Sequence, residues 1–145
     1  IGHADRVCIG GDNYSLTKLG GVDAAPPVRD AFLARFAQYR SPLHQFVEQD
    51  YADYLVNAHR DPIGFYVYDG DHAYEHQLQG LRLAEPYFAP GCKILVDDTN
   101  WPDVRKATRD FIKTSAQTYS IQLDEPTAMK NHPVWYNGIM LLQKE

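Results

Sequence analysis

Cysteine is scarce: Cys8 and Cys92 are the only two in 145 residues. Their spacing is not that of a metal site. Cys92 stands at the mouth of an apolar run and reads as a small core residue. Such sparing use fits a reducing cytoplasm, where the protein is expected. Long apolar runs are also lacking, so no membrane-spanning helix is expected. No charged stretch followed by an apolar one opens the chain, so no secretory leader is expected. Basic excess is lacking too. The net charge is −5, which argues against a nucleic-acid backbone as main partner. There is no HExxH pair, internal repeat or low-complexity segment. What remains is ordinary for a globular protein, 44% hydrophobic and 23% charged, and 145 residues suffice for one domain with a core.

The chain is organised around residues 64–107. Two short apolar runs, Phe65–Tyr68 and Ile94–Val96, stop abruptly at acids. The first ends in Asp69-Gly70-Asp71 and the second in Asp97-Asp98. Between them Tyr74, Leu78, Leu81 and Phe88 recur at helical spacing around Ala84, and Pro90-Gly91 is expected to close that helix. Strand, helix and strand in about 30 residues is a βαβ unit, whose strands are parallel neighbours. Their carboxyl ends then share the sheet edge where open α/β sheets bind ligands. Several carboxylates arrive there together, and a divalent cation is the obvious guest.

The flanking segments extend the pattern. Val7-Cys8-Ile9 reads as a short strand ending at Gly10-Gly11; alternatively, Ile1-Gly2 is the tail of a truncated first strand. Leu19–Val22 reads as a strand ending at Asp23. Val28, Phe32 and Phe36 mark an amphipathic helix, with Pro27 in its tolerant first turn. Leu43–Val47 is expected as a strand and Tyr51–Ala58 as a short helix. Beyond Asp98, Trp101-Pro102 opens a helix with Val104, Ala107 and Phe111 on one face. Tyr119–Leu123 and Val134–Leu142 are expected as strands, the second interrupted by Asn137-Gly138. The strands ending at Val22, Val47, Tyr68 and Val96 are expected to be parallel. The closing helix-free pair predicts an antiparallel edge. The fold class is therefore α/β: one domain over residues 1–145, Rossmann-like, mostly parallel, with helices on both faces.

The blocks Asp69-Gly70-Asp71-His72-Ala73-Tyr74-Glu75 and Asp97-Asp98, followed by Trp101-Pro102-x-Val104-Arg105, resemble the class I S-adenosylmethionine-dependent methyltransferases. The resemblance is to the branch of macrocin-type sugar O-methyltransferases, over roughly residues 19–142. It implies S-adenosylmethionine as cofactor, a divalent metal such as Mg²⁺, and a small-molecule hydroxyl as acceptor. It makes Asp23 the acid on the cofactor ribose, with Asp50 and Tyr51 at the adenine. Asp69, Asp97 and Asp98 become the metal ligands, with Asp69 also counted at the cofactor. Asp71 becomes the general base, with His72 beside it as a proton relay. Family members carry a glycine loop after the first strand, and Gly2 is the candidate remnant here.

Each residue also has a plainer role. Asp71 and Asp98 could serve helix N-termini, Asp23 a turn, and Asp50 a helix start. Trp101 and Trp135 lie where they could flank a substrate. Two rival functions stay open: Asp69-Gly70-Asp71 is also the DxD of metal-dependent glycosyltransferases, and the chain could be a non-catalytic binding module of methyltransferase shape. A homo-oligomer stays open as well.

Overall fold

The two acid-ended strands are neighbours and parallel. In the computed structural model, β5 (Ile63–Tyr68) and β6 (Phe88–Asp97) pair with Tyr66 opposite Ile94, Val67 opposite Leu95 and Tyr68 opposite Val96. Residues 7–12, 18–19, 22–23, 25–127 and 134–145 are described, with backbone alone at 18–19, 22–23 and 25–26. The expected features at Ile1-Gly2, at positions 20–21 and in the loop at 128–133 lie outside them. The chain forms two compact units, Ile1–Tyr54 and Leu55–Glu145.

In the second unit the strand order is β5-β6-β8-β7. β7 (Tyr119–Glu125) and β6 both run antiparallel to β8 (Ile139–Lys144). α3 (Tyr74–Ala84) and α4 (Pro102–Thr114) are the connecting helices. The core is built from Leu81 and Ala84 of α3, Val104, Ala107 and Phe111 of α4, Ile94 and Val96 of β6, and Met140 and Leu142 of β8. Burying each large side chain contributes about 1.5–3 kcal/mol. Where α3 crosses β5 there is no room for a side chain. A Cβ on Gly80 would lie 2.2 Å from the Tyr68 ring, and the Tyr66 hydroxyl donates to the Gly80 carbonyl at 3.1 Å.

Two boundaries differ from the periodicity. α3 stops at Ala84 and passes through a tight 3₁₀ turn, Glu85–Tyr87, so Phe88 opens β6 instead of extending the helix. Pro90-Gly91 lies inside the strand. Ile63 pairs with Phe88 and Phe65 with Lys93, so β6 advances five residues while β5 advances two. A proline without an N–H and Gly91 at φ +75° suit such a bulge. The last strand begins at Ile139, not Val134, because Gly138 sits at φ +84° and turns the chain before pairing starts.

In the first unit β1 (Cys8–Gly11) pairs in parallel with β4 (His44–Val47). α1 (Ala25–Tyr39) stacks Phe32 on Phe36, and both rings meet Phe46 of β4. Arg29 of α1 holds Glu48 through two 2.7 Å bonds. The strand expected to end at Asp23 corrects to a small antiparallel pair: β2 (Lys18–Leu19) faces β3 (Val22–Asp23). Val22 is therefore not one of the parallel strands; β1 holds that place beside β4. α2 (Tyr51–Asp53) continues as a π-helical turn, Tyr54–Ala58.

Two outcomes follow from this packing. Gly80→Ala should destabilise by about 1–3 kcal/mol, even against the roughly 1 kcal/mol that alanine gains in a helix; the denaturation midpoint measures it. Burial pushes the Cys92 thiol up to about 11 from 9.0. Its contribution to stability is therefore full below pH 9 and is lost as pH rises from about 9 to 11. A thiol reagent at pH 8 should label Cys92 only after unfolding.

Candidate active site

β5 delivers its acids through a tight turn. A Cβ on Gly70 would stand 2.9 Å from the Tyr68 ring and hydroxyl, so a side chain there would force that phenol to shift. The Asp71 carboxylate accepts from the Ala73 N–H at 2.8 Å, an Asx turn that steers the chain into α3. His72 is left projecting, 45% exposed, with its Nε2 2.6 Å from the Asp98 carboxylate. Its ring stacks on that of Trp101 with centroids 6.1 Å apart.

β6 delivers its acids through a more elaborate turn. Asp98 has φ +56°, the one positive value at a non-glycine among the described residues. Such a conformation costs on the order of 1–3 kcal/mol and persists only where the surroundings enforce it. Here the surroundings are explicit. The Trp101 N–H donates to the Asp98 carbonyl at 3.0 Å, Thr99 N–H to Gly138 at 3.4 Å, and Asn100 N–H to Asn137 at 3.1 Å. The Asn100 side chain donates to the Thr127 carbonyl, and the Thr127 hydroxyl accepts from Gly138 N–H. The Arg105 Nε donates to the Thr99 carbonyl at 2.9 Å, and its guanidinium reaches Asp124 of β7 at 2.8 Å. Arg109 grips the same Asp124 at 2.6 Å. Gly138 is obligatory: a Cβ would stand 2.7–2.8 Å from Asn100 and Thr99 atoms.

The donor atoms of Asp69, His72 and Asp98 come together, all within 4.8 Å of one another. Asp97 is not in that group. One of its oxygens accepts from the Trp135 indole at 2.7 Å and from the Asp98 N–H at 2.6 Å. Asp71 stands beside the group with its carboxylate in the Asx turn. In the first unit, Asp50 caps α2 by accepting from Ala52 and Asp53 N–H groups, and Tyr51 is the first residue of that helix. Asp23 is described in backbone only, paired with Lys18; Gly2 lies outside the described residues.

One residue that sequence reasoning passed over stands out, and one takes a further role. Asp12 directly follows β1, and its N–H donates to the Val47 carbonyl at 3.3 Å. It therefore shares the carboxyl edge of the β1–β4 pair with Asp50. The run Val-Cys-Ile-Gly-Gly-Asp had the same apolar-then-acid form as the β5 and β6 ends. His72 was read as a relay, although an imidazole three residues from Asp69 is equally suited to join it at one centre.

A protein-family profile described as a methyltransferase domain matches residues 6–99, about two thirds of the chain, and the chain belongs to that family. No curated protein matches it. Among solved structures it is similar to the O-methyltransferase NovP, with TM-score 0.63 and 18% identity, covering 96% of this chain and 60% of that one. It is similar to CalS11, a TDP-rhamnose 3′-O-methyltransferase of calicheamicin biosynthesis, with TM-score 0.58 and 18% identity over 97% and 60%. It is also similar to SMU.1697c of Streptococcus mutans, solved in complex with SAH, with TM-score 0.64 and 12% identity over 94% and 75%. The fold is the Rossmann-like α/β fold of class I methyltransferases. The chain spans three fifths of the length of NovP and CalS11.

Gly138→Ala should be destabilising by on the order of 3 kcal/mol, since it meets both a left-handed φ and direct collisions. Asp98→Gly should unfold no earlier than the wild type in thermal melts, because it removes the positive-φ cost along with the carboxylate.

Proposed function

We propose that this chain is the core of an S-adenosylmethionine-dependent methyltransferase that methylates a hydroxyl oxygen of a small molecule. The observation that carries this is the convergence of Asp69, His72 and Asp98 at the carboxyl edge of β5 and β6, in a chain of the methyltransferase-domain family. S-adenosylmethionine, when bound, supplies an electrophilic methyl group. The acid on its ribose is the one that ends a parallel strand. Asp12 meets that description after β1, and Asp23 is the alternative; Asp50 and Tyr51 stand at the next strand end for the adenine.

The two carboxylates suit a hard divalent cation such as Mg²⁺, and with the imidazole nitrogen the set fits a transition metal better. Such an ion, when held there, lowers the pKa of an acceptor hydroxyl. Asp71, next to that set, takes the acceptor proton. The exposed face of Trp101 bounds the acceptor side. One contact favours a second, metal-free reading. His72 paired with Asp98 at 2.6 Å is an imidazole oriented by a carboxylate, the arrangement of a general base.

Calorimetry with S-adenosylhomocysteine tests the cofactor assignment. The alanine variant of whichever acid, Asp12 or Asp23, holds the ribose should lose about 1.5–3 kcal/mol of binding. No binding by the intact chain would leave a non-catalytic module or an incomplete cofactor site. Methyl transfer to a hydroxyl acceptor with and without a chelator separates the other two readings. Loss on chelation and recovery with magnesium or manganese is expected; indifference to chelation assigns the proton to His72 and Asp98.

A further inference from the structure

Arg105 closes the block Trp101-Pro102-x-Val104-Arg105, and its side chain reaches back to the turn that precedes it. We propose that Arg105 is the positioning residue of the Asp98 turn, and that Asp124 acts through it. This rests on reading Asp98 as one of the groups that hold the cation. Arg105 is the fourth residue of α4, where a positive charge opposes the helix dipole. What it holds explains its place. Its Nε donates to the Thr99 carbonyl at 2.9 Å, and one terminal nitrogen reaches both oxygens of Asp124 at 2.8 and 3.0 Å. Bonds from a charged donor are the stronger kind. Arg109 grips the same carboxylate, so Asp124 is itself held and aims the guanidinium.

Thr99 has few other anchors. It is fully buried, and its hydroxyl has no partner among the described residues. Its N–H bond to Gly138 is 3.4 Å long, weak for a backbone pair. Thr99 directly follows Asp98, whose φ is +56°. Released from Arg105, the turn can relax toward the negative φ that an L residue favours. The Asp98 carboxylate would then leave the donor atoms of Asp69 and His72. The arginine touches neither cation nor substrate; it acts through one backbone carbonyl.

Manganese binding by calorimetry, together with amide hydrogen exchange, tests this on the whole chain. Arg105→Ala should weaken manganese about tenfold or more, the usual loss when a support of a ligand is removed. Arg105→Lys, whose single ammonium is a poor match for two partners, should lose about threefold or more. Asp124→Ala should weaken binding several-fold, and its double variant with Arg105→Ala should be no worse than Arg105→Ala alone. Tyr119→Phe is the control for lost stability: it removes the 2.7 Å bond to Glu85 at the other end of β7 and should leave manganese affinity unchanged. The Trp101 amide, bonded to the Asp98 carbonyl at 3.0 Å, should exchange about tenfold faster in Arg105→Ala, with the amides of β6 and β8 little changed; a purely structural arginine would speed all of them alike. Wild-type manganese affinity in both Arg105 variants overturns the proposal, as do additive losses in the double variant or an equal loss in Tyr119→Phe. If Arg105→Ala does not fold, Arg105→Lys carries the comparison. If the wild type binds no manganese, the cation reading fails and exchange decides: acceleration confined to the turn supports the positioning role, and unchanged or uniformly faster exchange overturns it.

Discussion

The register between β5 and β6 is the constraint on which the rest depends. With Tyr68 opposite Val96, Asp69 and Asp97 leave the sheet side by side. A slip of one residue would reverse the faces of every side chain on one strand and separate the acids. Packing fixes the register. Ile94 and Val96 are fully buried, and the Tyr68 ring fills the space that Gly80 leaves open on α3. The carboxylates repel, so they do not choose this arrangement; the apolar side chains one residue upstream choose it for them.

Much of this was legible beforehand because it is written in period. The alternation of apolar runs with helical spacing located β5, β6, α3 and α4, and the acids at the strand ends located the edge. The antiparallel closing pair was legible from the missing helix between Tyr119 and Val134. The S-adenosylmethionine-type fold followed from the DGDHxYE and DDxxWPxVR blocks. Illegible features depended on a distant partner strand or on a pairing too short to leave a period. Pro90-Gly91 looks like a helix stop until β5 is beside it and the bulge has a partner strand. Leu19 to Asp23 reads as one strand, since a two-residue antiparallel pairing leaves no periodic trace.

The site shows the same division. Nothing local distinguishes Asp97 from Asp98, two identical neighbours. The difference is imposed by Trp135, 38 residues on, and by the Gly138 carbonyl that bonds Thr99. Asp71 likewise has the form of a strand-end acid and of a helix-start acid, and the bond from the Ala73 N–H shows that its carboxylate serves the turn into α3. Residue types were readable from spacing, whereas the orientation of each carboxylate required the fold.

The strand order β5-β6-β8-β7 has a temporal side. β8 follows β7 in the chain but wedges between it and β6, so β7 has no sheet partner until β8 is made. The turn that aims Asp98 leans on Asn137 and Gly138, which come just before that strand. During synthesis, β5, α3 and β6 can assemble as soon as they emerge, since their contacts are near in sequence. The turn that aims Asp98 cannot. It stays unformed until the final wedge is in place, so a chain released before Ile139 would carry every acid of the site and still lack the site.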